Sequence, residues 1–232
     1  MRIAVFSDIH GNLEALKAII NSIKKEGINM VFCLGDVTGK GPNPKECLDL
    51  IINNKITLVL GNSELYYLYG TEIDEMSKEE QKHFKWVSDS LSLKHKLFLE
   101  NCNLNISLRF NGKTISFRHF LIKDKYVGYP FHFLKVVEDG TINNILDKQN
   151  DNYIIIGHYH NEFVINNDNT ALIDIGSSGY VKDKKTYYYI IDTNKDFTFK
   201  KIEIEYDRDK LVSKLNNSDY PNIDKCKQAF GL

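Results

Sequence analysis

The sequence predicts an α/β fold with largely parallel strands. Short apolar runs recur along the chain, and most of them are followed by segments whose apolar residues fall at helical spacing. The 232 residues fit one large domain better than several, and 42% hydrophobic residues are enough for a sizeable core. We therefore expect a single domain that covers residues 1–232.

The first half is predicted to alternate strands and helices. The predicted strands are 3–6, 30–34 and 56–60, and the predicted helices between them are 12–25 and 45–52. The next segment, from Glu64 to Phe98, is aromatic and charged. Within it, Ser77 and Glu80 are spaced as in a helix capping box. We expect this segment to form a helical lobe inserted in the fold.

The second half is richer in strands. The dipeptide Asn111-Gly112 is a strong hairpin signal, so the segments on either side are predicted to pair as antiparallel strands. A helical tail is predicted from Asp207. The strands predicted in this half are 104–110, 113–117, 153–156, 171–175, 186–192 and 197–206.

Composition disfavours several classes of function. Lys and Arg number 30 against 31 Asp and Glu, so the net charge of -1 offers no field for bulk binding of nucleic acid. The apolar runs are too short to span a bilayer, and the first residues do not have the layout of a signal peptide, so we expect a cytoplasmic protein with no membrane partner. The four cysteines lack the paired spacing of a disulfide framework or a cysteine-based zinc site.

Residues able to bind a metal follow five of the apolar runs. Polar groups at the carboxyl ends of strands in an open α/β sheet meet at one edge, and residues two apart in extended chain point to the same side. Each motif alone is usually incidental, but their joint occurrence predicts a metal site. Histidine, carboxylate and amide ligands favour Mn, Fe or Zn over Mg or Ca. The candidate ligands are Asp8, His10, Asp36, Asn62, His119, His158 and His160.

Other histidines and aromatic residues are interpreted as structural. His83 and His95 are expected to face solvent in the lobe, and His132 is expected to be packed or at the surface. The cluster Tyr66-Tyr67-Leu68-Tyr69 is interpreted as packing the lobe against the core, with stacking on a nucleobase as the alternative.

Together the motifs resemble the calcineurin-like metallophosphoesterases, in particular the small bacterial phosphoesterases and diadenosine-polyphosphate hydrolases. The resemblance covers nearly the whole chain. The segments that carry it are Asp8-Ile9-His10-Gly11-Asn12, Gly35-Asp36 with Gly39-Lys40-Gly41-Pro42, Gly61-Asn62, His119, Gly157-His158-Tyr159-His160 and Ile175-Gly176-Ser177-Ser178-Gly179.

The resemblance implies a two-sheet β-sandwich flanked by helices, with a centre of two divalent metal ions. One ion would be held by Asp8, His10, Asp36 and His160, and the second by Asp36, Asn62, His119 and His158. In this arrangement Asp36 bridges the two ions.

The function implied by the resemblance is metal-dependent hydrolysis of phosphate ester or phosphoanhydride bonds by a metal-bridging hydroxide. Asp8, Asp36, Asn62 and His119 would be catalytic, and Asn12 and Ser63 would contact the substrate, a phosphorylated small molecule of nucleotide type. A protein phosphatase, a phosphodiesterase and a non-catalytic scaffold of the same fold are the alternatives. An enzyme is favoured because every matched ligand position holds a metal-binding residue type. The oligomeric state is left open.

Two departures from the family pattern stand out. Phe120 follows the middle histidine, where glycine is usual, and Ser63 replaces a histidine that typically contacts the reacting phosphate and the leaving group. Because serine is a poor proton donor at neutral pH, substrates whose leaving group is stable as an anion should be preferred. Nucleoside polyphosphates and dinucleoside polyphosphates meet that requirement.

Overall fold

The structure is a computed structural model that describes residues 1–70, 76–121, 146–147, 149–194 and 197–232. Within these ranges the chain forms two mixed sheets of five strands each, with helices around them. This confirms the two-sheet sandwich flanked by helices that the resemblance implied. The prediction for His132 lies outside the described residues.

The elements of the first half are β1 (Arg2–Phe6), α1 (Leu13–Ile23), β2 (Met30–Cys33), α2 (Pro44–Asn53), β3 (Thr57–Leu58), α3 (Asn62–Tyr69), α4 (Lys78–Ser90) and α5 (Leu93–Glu100). Those of the second half are β4 (Asn105–Phe110), β5 (Lys113–Arg118), β6 (Tyr153–Ile156), β7 (Glu162–Asn166), β8 (Ala171–Ile175), β9 (Lys185–Asp192), β10 (Thr198–Glu205), α6 (Arg208–Asn216) and α7 (Ile223–Ala229). Strand β7 was not predicted. It is a short edge strand whose residues are all exposed or half-buried, so it has no buried face to signal it.

The prediction of largely parallel strands is right for only three adjacent strands of each sheet. One sheet has the order β10-β9-β1-β2-β3, with β1, β2 and β3 parallel and β9 and β10 antiparallel. The other has the order β4-β5-β6-β8-β7, with β5, β6 and β8 parallel and antiparallel strands at both edges. The β4–β5 hairpin turns at Asn111 and Gly112, whose φ angles of 47° and 81° are those a tight hairpin turn requires.

One hydrophobic core lies between the two sheets, and a larger one packs the first sheet against the helices. Phe32 of β2 stacks on Phe117 of β5, with ring centroids 4.2 Å apart, and Val5 and Ile155 are buried in the same cluster. Because β1 also carries Ala4 and Phe6 toward the helices, it is buried on both faces. The loops that follow these strands therefore begin at buried, well-packed strand ends.

The helices after β3 and the carboxyl-terminal tail meet outside the first sheet. Helix α4 begins with the predicted capping box of Ser77 and Glu80. Trp86 of α4 donates a hydrogen bond of 2.9 Å to Asp219, which follows α6. His95 of α5 was predicted to face solvent, which is wrong: it is buried, and its Nε2 lies 3.2 Å from Asp49. None of the helices in the described ranges has the length and apolar character needed to cross a membrane.

Candidate metal centre

The loops that follow the parallel strands of both sheets meet at one edge of the sandwich. Asp8 and His10 follow β1, Asp36 follows β2, Asn62 opens α3, His119 follows β5, and His158 and His160 follow β6. Backbone hydrogen bonds join neighbouring loops within each sheet, such as Asp8 N to Gly35 O at 3.0 Å and Gly157 N to His119 O at 3.1 Å, and Gly179 N to Asp8 O at 3.1 Å joins the loops after β8 and β1 across the two sheets. All seven side chains predicted as ligands are brought together at this edge.

One group of ligand atoms comprises Asp8, His10 and His160, whose donor atoms all lie within 4.8 Å of one another. The Nε2 atoms of His10 and His160 are 3.0 Å apart, and His160 Nε2 is 3.1 Å from Asp8 Oδ1. Asp8 Oδ1 is buried, yet it accepts no hydrogen bond from the described residues. Imidazole nitrogens and a carboxylate oxygen that converge this closely are the arrangement that a cation satisfies, so these residues fit a divalent metal ion.

A second group comprises Asp8, Asp36 and His119, again within 4.8 Å. Asp36 lies between the two groups, with Oδ1 3.5 Å from His119 Nε2 and Oδ2 3.7 Å from His10 Nε2. Asn62 Oδ1 lies 3.1 Å from His119 Nε2 and 3.0 Å from His158 Nδ1. The two carboxylate oxygens of Asp36 therefore face different groups, as a bridging ligand would.

The backbone of the ligand loops differs from the extended chain that the sequence analysis assumed. Five of the seven candidate ligands have a left-handed backbone, with φ between 48° and 78°: Asp8, His10, Asp36, His158 and His160. Such angles are uncommon outside glycine, although Asn, Asp and His adopt them more often than other residues do, and they cost about 1 to 3 kcal/mol each. Paired ligands thus converge because the chain turns sharply at each of them, and the clustering of strain marks the functional edge.

Two carbonyl oxygens orient the histidines of the centre. His119 Nδ1 lies 2.6 Å from Leu34 O, and His10 Nδ1 lies 3.4 Å from Thr38 O. A carbonyl oxygen can only accept, so Nδ1 of each ring carries the proton, and Nε2 of the neutral ring has its electron pair available for a cation at the centre. This tautomer is the one that metal-binding histidines adopt when the other nitrogen is anchored.

Glu64 holds the loop that carries Asp36, a role that the sequence analysis missed. Its carboxylate is fully buried and accepts hydrogen bonds from the backbone N–H groups of Asp36, Val37, Thr38 and Gly61, at 2.8 to 3.1 Å, and from the Thr38 hydroxyl. The sign of this role in the sequence is an acidic residue two positions after Asn62. Glu64 therefore acts through Asp36 and not as a ligand.

Close backbone approach explains two glycines and the glycine-serine turn. A side chain at Gly61 would collide with Asp36, and one at Gly157 would collide with Ser7 and Asp8. From the turn after β8, Ser177 Oγ donates a 2.8 Å hydrogen bond to the carbonyl oxygen of Asp8. These contacts fix the positions of both carboxylates.

The pKa shifts of Asp8, Asp36, His10 and His158 favour the protonation states that bind metals, whereas the shift of His119 favours its protonated form. Burial opposes ionisation of Asp8 and Asp36, but nearby histidines, His119 foremost, outweigh it and lower the pKa of both carboxyl groups. Burial also lowers the pKa of His10 and His158 to about 4, which keeps both rings neutral. The pKa of His119 is raised, because the carboxylates around it outweigh its burial. Ionised carboxylates and neutral imidazoles are the forms that coordinate a cation.

A cavity of about 570 Å³ opens over the centre. Its floor contains five of the candidate ligands: His10, Asp36, Asn62, His158 and His160. Its other side is largely aromatic, and we call this side the outer wall. The outer wall is formed by Lys40, Tyr66, Tyr67, His83, Phe84, Tyr180, Tyr220, Lys225 and Cys226, from the loop after β2, α3, α4, the loop after β8 and the carboxyl-terminal tail.

The two residues predicted to contact substrate have different positions. Ser63 lines the cavity, and its backbone N–H donates a 2.8 Å hydrogen bond to Asp36 Oδ1. Asn12 does not line the cavity: its side chain caps α1 through Ala15 N and donates to Gly179 O. The structure therefore gives Asn12 a capping role in place of the predicted substrate contact.

His83 also differs from expectation. It was predicted to face solvent, but it lies in the outer wall with its ring 5.0 Å from that of Tyr220, and its Nε2 is buried without a partner among the described residues. Burial lowers its pKa to about 4. No pattern in the sequence indicates this position, because α4 is polar overall and its cavity face depends on contact with the distant tail.

Comparisons with known proteins agree with this site. The calcineurin-like phosphoesterase superfamily domain matches residues 1–196. The chain is 33% identical to the uncharacterized protein MJ0912 of Methanocaldococcus jannaschii over 236 aligned positions, which cover 94% of this chain and 93% of that protein.

Solved structures show the same fold at low sequence identity. A metallophosphoesterase from Sphaerobacter thermophilus superposes with a TM-score of 0.74 and 20% identity, covering 99% of both chains. The hypothetical protein PH1004 from Pyrococcus horikoshii OT3 superposes with a TM-score of 0.80 and 17% identity, covering 100% of this chain and 98% of the other.

Proposed function

The chain belongs to the calcineurin-like phosphoesterase superfamily, and from this premise we propose that it is a dinuclear metal-dependent hydrolase of nucleotide-type phosphoanhydrides. Members of this superfamily generally hydrolyse phosphoesters with the help of divalent metals. The observation that carries the proposal is the pair of ligand groups that share Asp8 and adjoin Asp36 on the floor of an open cavity.

In this proposal Asp8, His10, Asp36 and His160 hold one ion, and Asp36, Asn62, His119 and His158 hold the second. The mixture of imidazole, carboxylate and amide donors suits Mn, Fe or Zn. Two divalent ions held here would supply an acidified water as nucleophile and positive charge for the phosphate oxygens. The chain's own part is to fix the ligands, through Glu64 and the buried carbonyl oxygens, before substrate arrives.

The proton donors available in the cavity restrict the leaving group. Among the described residues that line the cavity, the histidines are three candidate ligands and His83, whose Nε2 is buried. Ser63 stands where a general acid is expected, and a hydroxyl does not donate its proton readily at neutral pH. Phosphoanhydrides therefore fit better than alkyl phosphates, since their leaving group is itself a phosphate.

The outer wall supports a nucleoside as the other part of the substrate. Tyr67 and Phe84 stack on each other with ring centroids 5.0 Å apart and planes within 14°, and Tyr66 and Tyr220 also line the cavity. Aromatic rings on a cavity wall stack on a base at about 1 to 3 kcal/mol per base, whatever its identity. This supports nucleoside polyphosphates and dinucleoside polyphosphates as the substrate class.

A substrate screen with the purified protein loaded with Mn tests the proposal. We expect ATP and diadenosine tetraphosphate to be hydrolysed with higher kcat/KM than para-nitrophenyl phosphate, and phosphoserine peptides to be the poorest substrates. Efficient hydrolysis of the peptides would instead identify a protein phosphatase, and preference for bis(para-nitrophenyl) phosphate a phosphodiesterase. Protein that binds no metal and hydrolyses none of these compounds would be a scaffold.

A further inference from the structure

Lys40 presents a cation to the cavity without a carboxylate partner. It forms no ion pair with any described acidic residue, and its Nζ lies 4.6 Å from the centre of the Tyr180 ring. Lys225 also lines the cavity, but its charge acts on Glu80, which lines the cavity as well. Lys40 is therefore a cavity cation with no carboxylate in direct contact, within the part of the chain that the structure describes, although its charge also acts on Asp36 and Asp8 of the metal centre.

The backbone at Lys40 is fixed by the carboxyl-terminal tail. Its carbonyl oxygen accepts hydrogen bonds from the Tyr220 hydroxyl at 2.6 Å and from the Cys226 thiol at 2.9 Å. Its φ of 39° lies in the left-handed region, which lysine rarely adopts. The doubly hydrogen-bonded backbone holds the base of the side chain whose ammonium lies over the Tyr180 ring.

One aromatic ring separates Lys40 from the candidate metal ligands. The Tyr180 ring, which lies under the Lys40 ammonium, has its centroid 5.1 Å from that of the His160 ring and 5.8 Å from that of the His10 ring. The ammonium therefore does not belong to the metal centre itself. It lies beside the path from the floor to the outer wall, where a chain of phosphates would extend from the reacting group.

We propose that Lys40, supported by Tyr180, binds the phosphate next to the one that is hydrolysed and so selects substrates with two or more linked phosphates. This inference rests on the proposed function and names the determinant of its substrate class. A cation that is partly shielded from water by an aromatic ring gains more from an anionic oxygen than a solvated one does. A phosphate monoester has no second phosphate at this position, so Lys40 contributes less to its binding.

The test compares three variants of the metal-loaded protein. Lys40→Met removes the charge, Lys40→Arg keeps it, and Lys55→Met is the control, because Lys55 is an exposed lysine with a similar φ of 53° that does not line the cavity. We expect Lys40→Met to lower kcat/KM for ATP about 10- to 100-fold more than for para-nitrophenyl phosphate, the range of a charge-assisted hydrogen bond. Lys40→Arg should recover most of this loss, and Lys55→Met should show no such difference.

Calorimetry of nucleotide binding gives a readout that does not depend on turnover. With ions at saturation, Lys40→Met should weaken binding of α,β-methylene ADP, a form of ADP that cannot be hydrolysed, about 10-fold or more and AMP binding much less. Equal losses for both nucleotides, or no loss for the ADP analogue, would overturn the assignment of Lys40. If the wild type hydrolyses no phosphate compound, the proposed function fails, but the affinities for the ADP analogue and AMP still decide the role of Lys40.

Discussion

The floor and the outer wall of the cavity are built in opposite ways. The floor is made of short loops after parallel strands, with left-handed backbones at five ligands and buried hydrogen bonds that hold each loop. The outer wall is made mostly of helices and the carboxyl-terminal tail, joined by ring contacts such as Trp86 with Tyr220 at 5.1 Å. The floor lies within residues 1–196, which match the superfamily domain, whereas the wall includes Tyr220 to Ala229, beyond that match.

Because of this difference, we expect the floor and the outer wall to differ in their tolerance of substitutions. A strained loop persists only where the surrounding structure determines it, so the floor tolerates little change and serves one chemistry. Helical side chains in the wall can be exchanged at less cost to the fold. We therefore expect substitutions in the floor to affect metal binding and all substrates together, and substitutions in the wall to alter the preference among substrates.

The largest effect is expected for Asp36→Ala. Because Asp36 faces both ligand groups, its loss should lower metal content at both positions and reduce turnover at least about 10³-fold for every substrate. His158→Ala should leave more metal bound, since it removes one donor from one group. Elemental analysis and steady-state rates measure both, with the exposed Asp168→Ala as control. Normal metal content and rate in Asp36→Ala would show that the two groups are not a metal centre.

A smaller effect on the floor is expected for Glu64→Gln. An amide cannot accept all the hydrogen bonds that the Glu64 carboxylate receives from the Asp36 loop, so metal affinity should fall about 10- to 100-fold although no ligand changes. Metal titration followed by calorimetry measures the affinity, and the exposed Glu100→Gln is the control. Thermal unfolding with and without Mn distinguishes the two causes. Weaker metal binding reduces only the stabilisation by Mn, whereas a general loss of stability lowers the melting temperature in both conditions. Unchanged affinity would limit Glu64 to a structural role.

The sequence predicted the floor much better than the wall. The ligands could be found because each directly follows an apolar run, and strand topology then brings them to one edge. The reason given for their pairing was wrong, since Asp8 and His10 converge through left-handed turns and not through extended chain. The wall could not be found because it depends on contacts between α4 and a tail more than a hundred residues away, such as that of His83 with Tyr220. Periodicity along the chain carries no signal for such contacts.

An intermediate effect, confined to selectivity, is expected for Phe84→Ala in the outer wall. Loss of the ring that stacks on Tyr67 should lower kcat/KM for ATP by about 10-fold relative to para-nitrophenyl phosphate, which has no base to stack. Tyr69→Ala is the control from the same region, because Tyr69 is 52% exposed and does not line the cavity. A uniform loss for both substrates would mean that the ring only supports the wall.

The smallest effect is expected at Ser63, where the floor meets the wall. A positioned general acid is worth roughly 10² to 10⁴ in rate, and its absence should make the wild-type rate depend steeply on the pKa of the leaving group. Ser63→His should flatten this dependence, but only by about 10-fold for the poorest leaving groups. The reason is that Ser63 is packed beside Gly39 and His10, so a larger ring must turn into the cavity without hydrogen bonds to orient it. A series of aryl phosphates measures the slope of log kcat/KM against leaving-group pKa, with Ser63→Asn as a control of similar polarity. A shallow slope in the wild type, or rapid hydrolysis of phosphoserine peptides, would show that another group of the cavity already donates the proton.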